Sequence, residues 1–143
     1  FDELAEQHGL EKIKTIGDAY MAVAGAPDAR DDHAAAGAAM ALDLLAATAD
    51  FATRSSVPLQ LRVGLHSGPA IAGVIGRRKF AYDLWGDAVN VASRMESQGV
   101  PGRIQVTDAL RAELGDGWQL EERGTIEVKG LGEMRTWFLL GRA

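Results

Sequence analysis

Trp85-Gly86-Asp87-Ala88-Val89-Asn90-Val91-Ala92-Ser93-Arg94-Met95-Glu96 opens on a glycine and then repeats with a helical period. Ala88, Val91, Ala92 and Met95 fall at i, i+3, i+4 and i+7 and make an apolar stripe suited to packing on a sheet. Asp87, Asn90 and Arg94, at i, i+3 and i+7, line an adjacent polar stripe. On spacing alone such a stripe is more often a solvated face than a site. The apolar side therefore speaks for the fold, and the chemistry needs the flanking sequence. The pattern predicts a helix from Asp87 to about Gln98, stopped by Gly99-Val100-Pro101-Gly102.

Working outward toward the C-terminus, Arg103 to Val106 reads as a strand and Thr107-Asp108 as the cap of a short helix through Leu114. The tail from Trp118 to Leu140 reads as strands punctuated by Gly124, Gly130 and Gly132. Toward the N-terminus, Phe80 to Leu84 is predicted to be extended after the basic turn Arg77-Arg78-Lys79. Leu59 to Leu65 alternates like a half-buried strand, and Ala70 to Ile75 is expected to pair with it in a hairpin across His66-Ser67-Gly68-Pro69. The alanine-rich run from Ala34 to about Thr53 predicts a long helix with a stripe including Met40, Leu44 and Ala47. Glu11 to Ile16 and Ala19 to Ala24 flank Gly17-Asp18, a hairpin-turn signal. Phe1, Leu4, Ala5 and His8 suit the end of a helix that Gly9 stops in a left-handed cap. The whole is read as an α+β domain with one layer of helices on a largely antiparallel sheet.

Composition narrows the partners. The 143 residues, 47% hydrophobic and 24% charged, suit one globular domain, and 15 Lys and Arg against 20 Asp and Glu give a net charge of −5. That balance argues against nucleic acid as a partner. The absence of cysteine excludes disulfides, thiolate metal sites and cysteine nucleophiles. Ala34 to Ala49 is interrupted by Asp43 and falls short of the roughly 20 strongly apolar residues of a membrane span, so no membrane contact is expected of this segment.

Among single residues, Asp18 at a tight tip offers a carboxylate to a hard cation, or merely an Asx turn. Lys129 in Val128-Lys129-Gly130 is a phosphate contact or an exposed loop lysine. Asp31-Asp32-His33 reads as a helix cap rather than a metal site. His66-Ser67 lacks the setting of a nucleophile, and neither a GxGxxG nor a GxxxxGK[ST] phosphate loop is present.

Three segments together resemble the catalytic domain of class III nucleotide cyclases, in the style of bacterial, including mycobacterial, homodimeric adenylyl cyclases. They are Ile13-Lys14-Thr15-Ile16-Gly17-Asp18-Ala19-Tyr20-Met21, Arg62-Val63-Gly64-Leu65-His66-Ser67-Gly68-Pro69, and Tyr82-Asp83-Leu84-Trp85-Gly86 continuing through Glu96. The likeness extends through Gly102 to Val106 and Val128 to Trp137. It implies a ferredoxin-like βαββαβ core and conversion of ATP to 3′,5′-cyclic AMP and pyrophosphate.

By that resemblance Asn90 positions the ribose, Arg94 stabilises transition-state charge on the phosphoryl group, and Lys129 holds the terminal phosphates. Lys14 and Asp83 correspond to the pair that reads the base, lysine donating to adenine N1 and aspartate accepting from the N6 amine. Guanylyl cyclases typically carry a carboxylate in the lysine position, so ATP is expected over GTP. Asp18 is one of two aspartates holding two Mg²⁺ or Mn²⁺ ions. The resemblance also implies a head-to-tail homodimer with each site shared between chains and Phe80 in or near the arm that grips the partner. A cytoplasmic catalytic domain is expected, with the parent protein soluble or membrane-tethered.

Two departures bear on this. The family's first metal aspartate lies on an opening strand for which residues 1–143 show no counterpart, so the domain is expected to be N-terminally incomplete and inactive without that segment. Some members also have an arginine where this chain has Pro69. A non-catalytic, nucleotide-sensing dimerisation module of the same fold is the alternative reading.

Overall fold

The computed structural model describes all residues except 17–18, 26–30, 57–59, 69–70, 76–80 and 129, and only the backbone of 16, 71–75 and 81–85. Helix α1 (Asp2–His8) ends at Gly9, whose φ of 74° is the left-handed cap that the sequence predicts. Strands β1 (Glu11–Ile16) and β2 (Ala19–Val23) pair antiparallel, with an irregularity between Lys12 and Lys14. Then come α2 (His33–Ser55), β3 (Val63–Leu65), β4 (Ile71–Ile75), β5 (Ala81–Trp85), α3 (Asp87–Ser97), β6 (Ile104–Thr107), α4 (Asp108–Leu114), β7 (Trp118–Val128) and β8 (Gly132–Arg142).

The central sheet has the order β3-β6-β8-β7, parallel only between β3 and β6. The hairpins β1-β2 and β4-β5 form separate ladders, and β1 packs against β5. The mixed helix and antiparallel-sheet class is as expected, but the hairpin joining Leu59–Leu65 to Ala70–Ile75 is not formed. β3 takes β6 as its neighbour, while β4 pairs with β5 through Ile71↔Trp85 to Ile75↔Ala81. The local signal misled because a short connection between two alternating runs looks the same whether or not the strands pair. The parallel partner arrives only after a crossover of some forty residues that includes α3.

A second difference is that helices cover both faces of the central sheet. Ala34, Ala38 and Ala41 of α2 and Leu110 and Leu114 of α4 pack with Ile104, Val106 and Leu139 on one face. Val91 and Met95 of α3 pack with Val128 on the other. Strand alternation requires this: Ile104 and Val106 point to α2 and α4, and Gln105 between them points to α3.

At 23 residues α2 is longer than the sequence reading allowed, and by length and composition it could cross a membrane. Its small-residue stripe is instead the spine of the core, and Met40 and Leu44 pack against α1 through Ala5. Ala47, predicted on the buried stripe, is exposed, and Thr48 is buried in its place. Asp32 occupies the N-cap position of α2, but its side chain makes no capping bond.

Candidate active site

The site is organised on α3. Gly86 forms its N-cap at φ 124°, a conformation that favours glycine, and turns the chain directly from β5 into the helix. Val91 and Met95 are buried, whereas Asp87, Asn90 and Arg94 are exposed. The two stripes read from the sequence are therefore the two faces of the helix as folded. Arg94 and Asn90 stand one turn apart on the open side, a guanidinium and an amide presented to whatever docks there.

The open face keeps its place because the closed face is tightly seated. A Cβ on Gly64 of β3 would lie 2.2 Å from the Glu96 amide nitrogen and 2.5 Å from the Met95 carbonyl carbon, so the β3 backbone runs directly beneath the last turns of α3. At the first turn, a Cβ on Gly68 would lie 3.3 Å from Ala88 Cβ, which brings the loop after β3 against the start of the helix.

That loop is held by two histidines. His66 Nδ1 lies 2.7 Å from Thr107 Oγ1, and Thr107 Oγ1 also accepts from the Leu110 amide at 3.3 Å as the N-cap of α4. Burial holds the His66 imidazole below its ordinary range, because the charged form loses water there. His33 Nε2 lies 3.1 Å from Ser67 Oγ, and the Glu113 carboxylate is 3.8 Å from that same nitrogen. Both contacts fall on one ring nitrogen, so His33 links the Ser67 hydroxyl to the start of α2.

Lys14 is half-buried on β1, paired with Met21, and Asp83 lies on β5, paired with Gly73. The structure brings their two strands together; the side chain of Asp83 lies outside what is described. Asp18, Lys129 and Phe80 lie outside the described residues. The described part of the first hairpin ends at the pair Ile16↔Ala19. Asp18 is a hard oxygen donor, the right kind of ligand for Mg²⁺ or Mn²⁺. Among the described residues no group of three or more His, Asp or Glu side chains is placed to hold a cation. The described residues thus do not complete a metal centre.

Clefts of about 700 Å³ at Phe1, Lys12 and Tyr20 and about 420 Å³ at His33, Ser67 and Leu110 are present, and neither borders Asn90 or Arg94. The residues that sequence reasoning missed are those that seat α3: Gly64, Gln105 and Arg123. Only Gly64 carried a local signal, since a lone glycine inside a strand pattern marks a close backbone approach.

A family profile described as Adenylate and Guanylate cyclase catalytic domain matches residues 1–141, and the chain belongs to that family. The chain is 56% identical over 142 residues to an adenylate cyclase of Mycobacterium tuberculosis, an alignment covering 99% of this chain and 32% of that protein. It is 47% identical over 148 residues to human retinal guanylyl cyclase 1, covering 99% of this chain and 13% of that protein. Among solved structures, the guanylate cyclase domain of RhGC from Catenaria anguillulae in complex with GTP superposes with a TM-score of 0.92 at 38% identity, covering 99% of this chain and 78% of that one. The chain thus spans about a third or less of these curated relatives, and both base specificities occur among them.

Proposed function

We propose that residues 1–143 form the catalytic domain of an adenylyl cyclase that converts ATP to 3′,5′-cyclic AMP and pyrophosphate. The ribose 3′-hydroxyl oxygen bonds to the α-phosphorus and gives up its proton, while the bond from that phosphorus to the β-phosphate bridging oxygen breaks and pyrophosphate leaves. The observation that carries this reading is the exposed pair Asn90 and Arg94 on the open face of a helix fixed from below. Arg94, always charged and forked, stabilises the charge that builds on the transferring phosphoryl oxygens, and Asn90 orients the ribose. Lys129 holds the terminal phosphates.

The choice of ATP rests on Lys14 with Asp83. A lysine donates to adenine N1 and a carboxylate accepts from the N6 amine, whereas guanine presents a protonated N1 and a carbonyl. The packing of β1 against β5 supports this assignment, as does the 56% identity to a protein named adenylate cyclase. The relatives named guanylyl cyclases keep the base as the first thing to measure.

Two Mg²⁺ or Mn²⁺ ions, with Asp18 as one ligand beside a second carboxylate, would activate the hydroxyl and neutralise the triphosphate. The site is assembled across a head-to-tail homodimer, in which Asp18 of one chain faces Lys14, Asp83, Asn90 and Arg94 of the other, with Phe80 in the arm that grips the partner. The domain works on the cytoplasmic side, where ATP is available.

The test is product analysis by mass spectrometry after incubating the full-length protein with Mn²⁺ and equimolar ATP and GTP. Predominant cyclic AMP is expected. Predominant cyclic GMP would overturn the base assignment, and a folded, nucleotide-binding dimer that makes no cyclic product would be a sensing module instead.

A further inference from the structure

The C-terminal end of α3 is closed by a set of hydrogen bonds that the reaction as proposed does not use. The last carbonyls of a helix have no intrahelical donor. Here the Gly99 amide, which would continue the ladder to Met95, is given to Glu96 O at 3.0 Å. The Met95 carbonyl accepts instead from Gln105 Nε2 at 3.1 Å, a side chain of β6 with no exposed surface. The Ser97 carbonyl accepts from Arg62 Nη1 at 3.5 Å, and the Gln98 carbonyl from Arg123 Nη1 at 2.7 Å. Arg123 Nη1 also donates to Gln105 Oε1, so one guanidinium ties the buried amide and the helix end together. Both arginines put positive charge at the negative end of the helix dipole.

A buried glutamine is a costly choice where a methionine of similar volume would pack without desolvating an amide. An apolar contact lets a helix slide along its axis and rotate with little change in energy, whereas a hydrogen bond to one carbonyl fixes both. The carbonyl chosen belongs to Met95, the residue next to Arg94. A Cβ on Gly99 would lie 2.9 Å from that same oxygen, so glycine there keeps the approach open.

We propose that Gln105 and Arg123 are positioning residues for turnover: through the Met95 and Gln98 carbonyls they set the axial and rotational register of α3 and so place Arg94 against the transferring phosphoryl group. This rests on the reading of Arg94 given above. Neither residue touches the nucleotide in this scheme. Their effect falls on the transition state, where a misplacement of about 1 Å costs as much as a hundredfold.

The experiment is a double-mutant cycle in the full-length protein, with kcat and KM for ATP in Mn²⁺ measured for Gln105→Met, Arg94→Ala and the pair. Circular dichroism and size-exclusion chromatography confirm that each variant is folded and assembled. Gln105→Met is expected to lower kcat roughly ten- to a hundredfold with KM within about twofold. In the Arg94→Ala background, where cyclic product is accumulated over hours, the same change is expected to cost less than about twofold, because the group it places is gone. An equal loss in both backgrounds, or none in either, overturns the proposal. Should Gln105→Met fail to fold, Arg123→Met, on an exposed residue, takes its place with the same expectation, and unchanged kcat there overturns it. If Arg94→Ala itself leaves turnover intact, the reading of Arg94 falls instead, and the two failures are told apart.

Discussion

Replacing Gly64 with alanine tests the seat of α3 most directly. The new Cβ would stand 2.2 Å from Glu96 N, 2.5 Å from Met95 C and 2.7 Å from Met95 Cβ. Carbon contacts settle near 3.5–4.0 Å, so the helix has to retreat by about 1 Å or more, and two of the three obstacles are backbone that cannot rotate away. Overpacking of this kind costs about 1–3 kcal/mol. With a urea slope of about 1–3 kcal/mol per molar, the unfolding midpoint should fall by roughly 1 M. The same retreat carries Asn90 and Arg94 with it, so turnover per folded molecule should drop about ten- to a hundredfold. Gly141→Ala is the control, since nothing lies within 4 Å of its Cβ position and its midpoint should hold. Urea titration and steady-state kinetics on both variants decide the matter. A Gly64→Ala protein with an unmoved midpoint refutes the packing argument, and one with a lowered midpoint but unaltered kcat refutes the link from seat to chemistry.

Further outcomes follow from the same structure. Arg94→Ala should depress kcat far more than it raises KM for ATP, and equal losses in both would remove its transition-state role. Lys14→Glu combined with Asp83→Ala should weaken the preference for ATP in a mixed-nucleotide assay, and unchanged selectivity would dissociate those residues from base reading. Mixing Asp18→Ala chains with Arg94→Ala chains, each far below wild-type activity alone, should restore about a quarter of wild-type activity, because a heterodimer retains one intact site; no recovery after exchange speaks against sites shared between chains. Because burial lowers the His66 pKa, the folded state favours the neutral ring. The stability this provides is whole above about pH 6.5 and is lost as pH falls from there through the folded-state value. Melting midpoints should therefore decline below neutrality, and His66→Gln should flatten that decline.

What the sequence made legible was local. The Gly9 cap, the pairing of β1 with β2, the Thr107 cap and the two faces of α3 are each written within one turn of helix or one hairpin, where periodicity and capping rules apply. The partner of β3 was not, because Val63↔Ile104 joins residues some forty apart and the nearer run, Ile71 to Ile75, satisfies the same alternation rule. For the same reason one layer of helices was expected where two faces are covered. The polar residue in Ile104-Gln105-Val106 reads as the solvent side of a half-buried strand, and only the helix lying across it shows that Gln105 is buried. Of the candidate site, Asn90 and Arg94 lie exposed on the polar stripe of α3, and the strands that carry Lys14 and Asp83 are in contact.

This division has a consequence for how the domain can change. Base reading is assigned to β1 and β5, which meet outside the central sheet, whereas the phosphoryl chemistry is assigned to α3, which is bolted to β3, β6 and β7. Gly86 is the covalent joint between the two, a single residue with a φ of 124° between the end of β5 and the start of α3. If the proposed assignment holds, substitutions at positions 14 and 83 would exchange one base for another without disturbing the seat of Arg94. The seat itself tolerates little, because it joins a glycine under backbone to a buried amide whose partners, the Met95 carbonyl and the Arg123 guanidinium, are fixed. On this argument relatives with opposite base specificity should share the residues that hold α3 and differ on β1 and β5.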